Sequence, residues 1–225
     1  LGHGDFHILV YAPASVQEMV DMVVTAFDRA DKYRMPAMIL ADGLLGQMME
    51  PVSFPEINAN AYDKSSWAAD GHKNKREHHI INSLYLKPDE LQKSVYDRFE
   101  RYEKVKAEET DAELYLTEDC DILLCAYGAT ARVVKSAVNS AREMGIKAGM
   151  FRPKTLWPFP VKEINEACKS AKCLLDVEMS MGQMIDDVKL AINCSKPVHF
   201  FGRTGGVIPT PAEILEEIKK VGGTV

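Results

Sequence analysis

Short apolar runs alternate with amphipathic stretches at both ends of the chain, and a charged, broken region separates them. His7-Ile8-Leu9-Val10-Tyr11-Ala12 is apolar and partly β-branched, and Pro13 ends it, which predicts a strand. Ser15-Val16-Gln17-Glu18 has the form of a capping box, and Val16, Met19, Val20, Val23, Val24 and Phe27 follow at helical spacing, predicting a helix to about Tyr33. Pro36-Ala37-Met38-Ile39-Leu40-Ala41 predicts a second strand, ended by Asp42-Gly43. Strands this continuously apolar belong to a parallel sheet covered on both faces. Two strands and one helix leave most of a sheet face and both edges uncovered, so residues before Leu1 in the natural protein, or a second subunit, are expected to complete the sheet. On this reading the sequence is truncated, and residues 1–50 are the C-terminal part of a domain.

From about Gln47 to Glu113 no regular sheet is expected. Pro51, Pro55 and Asn58-Ala59-Asn60 interrupt structure, and His72-Lys73-Asn74-Lys75-Arg76-Glu77-His78-His79 is charged. One helix is predicted there, from Pro88 to about Glu108, with Leu91, Val95, Phe99, Tyr102 and Val105 as an apolar stripe that should lie against another element. Residues 51–117 therefore read as a linker carrying one long helix.

Residues 118–225 read as a doubly wound α/β domain. Four strands are predicted, at Asp121 to Tyr127, Ile146 to Arg152, Lys172 to Glu178 and Val198 to Phe201. Helices are expected from Thr130 to Met144, from Val161 to about Ser170, after Ser180-Met181-Gly182-Gln183 to Asn193, and after Thr210-Pro211-Ala212-Glu213. The last two helices start at further capping boxes, and Pro211 takes the favoured first position of the final one.

Composition narrows the function classes. With 46% apolar residues the chain supports a packed core, so a largely disordered chain is excluded. The formal charge of −6 and the lack of a long basic run argue against nucleic acid as a partner. No apolar stretch approaches the roughly 18 residues of a membrane span, and Leu1-Gly2-His3-Gly4-Asp5 lacks the features of a secretory signal, so a cytoplasmic location is expected. Cys120, Cys125, Cys168, Cys173 and Cys194 show no C-x-x-C spacing and read as free thiols, with no iron–sulfur or zinc site held by this chain alone.

Several segments carry candidate chemistry. The usual dinucleotide and nucleoside-triphosphate fingerprints are absent. Tyr127-Gly128-Ala129-Thr130 is either a tight βα turn or a nest of bare N–H groups for an anion. In Gly202-Arg203-Thr204-Gly205-Gly206, Arg203 and the backbone of Gly205 and Gly206 either converge on a phosphate or carboxylate, or form a loop in which Arg203 pairs with a nearby acid. Glu178 ends the adjacent strand, where doubly wound sheets place ligands, and either faces the same crevice or lies beside a helix cap made by Ser180 and Gln183. His3 with Asp5 is a weak acid–base pair in a loop, and His78-His79 is a solvated segment rather than a metal site.

The run from Gly4-Asp5 through Ile8 to Pro13, Ser15 to Met19, Ala26-Phe27 and Lys32 to Gly43 closely resembles the 2-oxoacid:ferredoxin (acceptor) oxidoreductases. Specifically it is similar to their alpha subunit, of the 2-oxoisovalerate or 2-oxoglutarate type. Phe151-Arg152-Pro153-Lys154-Thr155-Leu156-Trp157-Pro158-Phe159-Pro160, Val177 to Gln183 and Gly202 to Gly206 match its C-terminal, transketolase-C-terminal-like domain. The resemblance implies a pyrimidine-binding domain at the start of the chain and an oxidative decarboxylation giving acyl-CoA, carbon dioxide and reduced ferredoxin. It implies thiamine diphosphate with Mg and coenzyme A as co-substrate. A beta subunit would supply the diphosphate-binding domain, gamma and delta subunits are further candidate partners, and the iron–sulfur clusters would sit on partner subunits. Gly4 and Asp5 would lie near the substrate or cofactor mouth, and Glu178, Arg203, Gly205 and Gly206 would shape a cofactor-binding crevice. No catalytic residue is assigned, because the thiamine-activating glutamate of the family is absent from this sequence, and the isolated chain is expected to be inactive. Two rivals stand beside this reading: a non-catalytic assembly module, and the beta-type subunit of a thiamine-dependent 2-oxoacid dehydrogenase complex that passes acyl groups to lipoamide.

Overall fold

The apolar runs build two sheets in a computed structural model that describes residues 4–57 and 62–223. His3 of the His3–Asp5 pair and the Asn58-Ala59-Asn60 breaker lie outside the described residues. Strand β1 (Leu9–Tyr11) is fully buried, and the parallel β2 (Ala37–Ile39) pairs with it after helix α1 (Val16–Tyr33). Ser15 caps α1 by accepting from the Glu18 N–H. The Glu18 carboxylate departs from the expected box: it accepts from the Ala14 N–H and turns its remaining capacity to Arg152.

A single-turn 3-10 helix (Leu45–Gln47) follows, and then a long stretch without regular structure leads to helix α2 (Pro88–Glu108). Only the C-terminal half of the predicted apolar stripe packs. Tyr102 and Val105 are buried with Leu9, Tyr11 and Met22, whereas Leu91 and Phe99 are exposed and Val95 is half-buried.

The second sheet has the order β3-β5-β4-β7-β8, from β3 (Ala112–Tyr115), β4 (Ile122–Cys125), β5 (Ala148–Pro153), β7 (Cys173–Glu178) and β8 (Val198–Gly202). All neighbours are parallel except β3, which runs antiparallel to β5. Helices α3 (Thr130–Glu143) and α6 (Pro211–Gly222) cover one face with Ile122, Leu124 and Leu175. On the other face α4 (Val161–Ala167) and α5 (Met184–Ala191) lie over Leu123, Cys125 and Leu174. Alternate residues of β4 thus serve opposite cores, which explains its unbroken apolar sequence. Four of the cysteines are buried free thiols in these cores, and Cys194 is exposed.

Two short strands lie where none was expected. β3 falls inside the stretch read as free of sheet, because four residues of mixed character give too weak a period. β6 (Thr155–Trp157) leaves the second sheet at Pro153 and pairs antiparallel with β1. This corrects the expectation that both edges of the opening unit stand uncovered: the chain itself fills one edge of β1, and β2 forms the sheet's other border among the described residues.

Candidate functional site

In the second sheet β4 leads to α3 on one face while β7 leads to α5 on the other, so the topological switch lies between these neighbouring strands. A doubly wound sheet opens a crevice at the carboxyl ends of such strands. After β4 the chain turns through Gly128, whose φ is +61°. The turn's N–H groups are not bare. Asp42, from the loop after β2, accepts from the Ala129 N–H through Oδ2 at 2.9 Å and from the Leu45 N–H through Oδ1 at 2.8 Å. A side chain at Gly128 would come within 3.0 Å of Asp42 Oδ2, so glycine also lets the carboxylate approach. The anion considered for this turn is therefore an aspartate of the chain itself.

The end of β7 has the same character. Glu178 is buried, and its carboxylate accepts from the Ser180 hydroxyl at 2.7 Å, the Gln183 N–H at 3.2 Å and the Ile185 N–H at 3.1 Å. It thus caps α5, whose helical residues begin only at Met184. The capping box expected of Ser180 and Gln183 is corrected accordingly: a carboxylate one turn earlier reaches the helix start first, and it is the stronger acceptor there. Burial opposes its ionisation, but a hydrogen bond with Asp176 and then those from Ser180 and the helix-start amides hold the Glu178 carboxyl below the usual carboxylate range.

Two residues back, Asp176 is fully buried and neither of its oxygens meets an N–H or O–H donor. Its neighbour is the Glu178 carboxyl, so a hydrogen bond between them exists only when one group carries a proton. Burial, and then Glu178 itself, push Asp176 up to about 10, which makes Asp176 the protonated donor and Glu178 the acceptor. Half-buried Tyr127 stands against this pair and Asp42: burial and then the charges of Glu178, Asp176 and Asp42 raise its hydroxyl. The crevice is acidic, and Asp42 and Glu178 engage the Ala129, Gln183 and Ile185 N–H groups at its rim.

Arg203 adjoins Glu178 through its backbone, its N–H donating to the Glu178 carbonyl at 3.0 Å. Its guanidinium lies 4.5 Å from the Phe201 ring centroid and donates to Glu213 Oε1 at 2.8 Å. Glu213 also closes the expected capping box with Thr210, and its carboxyl is drawn down to about 2, first by the Arg203 hydrogen bond. Gly205 and Gly206 have φ of +65° and +86°, in an exposed loop. Gly4 and Asp5 lie elsewhere: Asp5 is exposed, and its carbonyl accepts from Arg98 on α2 at 2.8 Å. Glu178 and Arg203 are therefore neighbours, while Gly4 and Asp5 belong to the α2 side of the first sheet.

Sequence reasoning passed over the contacts that join the two sheets. Buried Arg152 on β5 makes a bidentate pair with Glu18 of α1 at 2.7 and 2.8 Å and meets Glu113 of β3 at 2.9 Å. Burial opposes ionisation of Glu18, but the Arg152 hydrogen bonds prevail and lower it. Arg132 of α3 holds Glu50 at 2.7 Å, and Glu50 accepts from the Val16 N–H. Asp176 had a signal, as one charge within Cys173-Leu174-Leu175-Asp176-Val177; Asp42 and Arg152 had none, because their partners lie 87 and 134 residues away. Among the described residues no cluster of His, Cys, Asp and Glu is arranged to hold a metal ion.

Known proteins match the chain in two stretches. Residues 3–114 match the family described as "Pyruvate flavodoxin/ferredoxin oxidoreductase, thiamine diP-bdg", and residues 120–214 match "Pyruvate:ferredoxin oxidoreductase core domain II". The ketoisovalerate oxidoreductase subunit VorB of Methanothermobacter marburgensis is 43% identical over 222 residues, which are 99% of this chain and 62% of that protein. The chain thus spans under two thirds of that relative's length. Among solved structures, a 2-oxoglutarate:ferredoxin oxidoreductase from Magnetococcus marinus, with 2-oxoglutarate, coenzyme A and succinyl-CoA bound, superposes with a TM-score of 0.78 at 22% identity. The match covers 97% of this chain and 43% of that one. A split-gene transketolase, an inactive beta4 tetramer, has the same fold more distantly, with a TM-score of 0.50 at 13% identity, covering 95% and 56% of the two chains. Both halves of the molecule thus lead to one enzyme group, and the chain belongs to the 2-oxoacid:ferredoxin oxidoreductase family as an enzyme subunit.

Proposed function

We propose that the chain is the alpha subunit of an enzyme that converts a 2-oxoacid and coenzyme A to acyl-CoA and carbon dioxide. The carbon–carbon bond to the carboxyl group breaks, a thioester bond forms, and the electron pair released passes to ferredoxin. The observation that carries this reading is the 43% identity to a ketoisovalerate oxidoreductase subunit over 99% of the chain, and it favours a branched 2-oxoacid. A beta subunit bearing the diphosphate-binding domain, with gamma and delta subunits as further candidates, would complete the assembly in the cytoplasm.

Thiamine diphosphate, when bound, would supply the nucleophilic carbon and the electron sink for decarboxylation. The described residues do not fit its diphosphate and Mg end. They contain no metal-holding cluster, Asp42 and Glu178 take the Ala129, Gln183 and Ile185 amides, and Arg203 is committed to Glu213. This reading assigns the diphosphate site and the iron–sulfur clusters to partner subunits, and no catalytic step to this chain's residues. Its contribution in this reading is to wall the active centre, with Gly4 and Asp5 on the α2 side of the first sheet and Glu178, Arg203, Gly205 and Gly206 around the crevice of the second.

Arg203→Ala in the assembled enzyme tests the last point. The expectation is a loss of about 10-fold or more in kcat/KM or a weakened complex; unchanged kinetics and assembly would remove Arg203 from the site. The electron acceptor separates the enzymatic rivals: reduction of ferredoxin supports this assignment, whereas a requirement for a lipoyl protein supports the dehydrogenase-complex reading. The assembly-module reading draws on one observation, the internal pairing of Glu178 and Arg203, and activity of the partner subunits without this chain would favour it.

A further inference from the structure

A cleft of about 710 Å³ lies away from the crevice between β4 and β7, between the C-terminal end of α2 and the start of α4. Its volume is that of a small-molecule site. Trp157 and Phe159 form an aromatic wall. The indole is held in place, since His7 stacks on it at 4.7 Å and 13° and Tyr102 meets it edge-on at 5.5 Å.

Two acceptors in the lining are unspent. Glu163 Oε2 is buried without a hydrogen-bond partner, and its Oε1 has only the Thr110 hydroxyl at 3.5 Å. Oε2 is sealed from the cleft, which leaves Oε1, with its single long bond, as the carboxylate oxygen for a ligand donor. Asn165 donates through Nδ2 to the carbonyls of Val161 at 2.8 Å and Ala191 at 2.9 Å, which fixes the amide and leaves Oδ1 to accept. Cations complete the lining. Lys162 meets no carboxylate among the described residues, and Lys106 has only Glu103 on its own helix.

A flat aromatic wall, fixed acceptors and an uncommitted ammonium group select a particular ligand chemistry. The ring must stack, its edge must donate hydrogen bonds, and its tail must be anionic. We propose that this cleft binds an adenine nucleotide, the 6-amino group donating toward Glu163 and Asn165 and the phosphoryl groups meeting Lys162 and Lys106. Free nucleotide and the nucleotide end of coenzyme A share that chemistry. Only the coenzyme A source rests on the catalytic reading above.

The chain has two tryptophans, Trp67 and Trp157, so Trp67→Phe leaves Trp157 as the sole indole reporter. Titration of the Trp67→Phe chain with ADP should quench Trp157 emission saturably, with Kd below about 1 mM. Lys162→Glu should weaken ADP by about 10-fold while leaving adenosine unchanged, because adenosine lacks the phosphates. Coenzyme A matching or exceeding ADP identifies the cofactor as the source, and ADP alone binding identifies a free nucleotide; either supports the site. Emission unmoved by ADP and coenzyme A up to about 1 mM, or an ADP effect reproduced by inorganic phosphate, would overturn it. The readout is binding, so inactivity of the assembled enzyme leaves it standing.

Discussion

Asp176 concentrates the energetic conflict of the second sheet in one side chain. An acid whose folded-state pKa is raised binds a proton that the unfolded chain releases, so its presence costs stability as pH climbs from its ordinary value near 4 toward about 10. Below that window both states are protonated and the cost vanishes. Asp176→Asn removes the titration and keeps a donor for Glu178. The variant should therefore gain about 1–3 kcal/mol over the parent at pH 8 and lose that gain near pH 4, as followed by urea unfolding at the two values. An equal difference at both pH values would show that Asp176 does not hold the proton. The sequence displayed this residue as an isolated charge in an apolar strand, and displayed Glu178 as a strand-end acid; the proton between them was hidden, because it depends on burial. Glu213 was likewise legible as a cap, since Thr210 and Pro211 precede it, whereas its pairing with Arg203 was one of two open readings.

Short elements were the least legible. α1 and α6 follow from periodicity and caps, α3 from periodicity, and the four parallel strands from apolar runs. β3 and β6 have four and three residues and owe their pairing to β5 and β1 rather than to their own pattern. Gly149 shows how closely the segment after β3 approaches β5: a Cβ there would lie 2.5 Å from the Leu116 carbonyl oxygen, a backbone atom that cannot swing aside. Gly149→Ala should accordingly cost about 1–3 kcal/mol in thermal or urea unfolding, through displacement of the segment after β3. A cost under a few tenths of a kcal/mol would mean that this approach is not maintained. α2 departs from expectation for a different reason. Its stripe is real, but at about 1.5 Å per residue the helix extends some 30 Å, beyond the first sheet that buries Tyr102 and Val105.

Across the whole molecule, the junction between the sheets and the uncovered apolar surface determine what the chain does. Arg152 is 2% exposed and joins α1 to β3 and β5 through Glu18 and Glu113. Arg152→Ala strands those acids, and because the Glu18 side chain is 30% exposed the cost should fall near about 2–3 kcal/mol rather than the larger figure for a fully buried pair. Calorimetry should show the two halves melting closer to independence; a single unshifted transition would refute the junction's importance. Phe54, Ile80, Leu84 and Leu86 are each more than 70% exposed, and Phe27 beside β2 is 73% exposed. These side chains are candidate contacts for the proposed partner subunits. No helix among the described residues is long and apolar enough to cross a membrane. Chain dependence of the reaction is the most direct test of this account. Acyl-CoA formation from 2-oxoisovalerate with ferredoxin as acceptor should appear when the chain is assembled with its partner subunits, and should be absent from either alone. Turnover by the isolated chain, or equal turnover by the partners without it, would contradict the account.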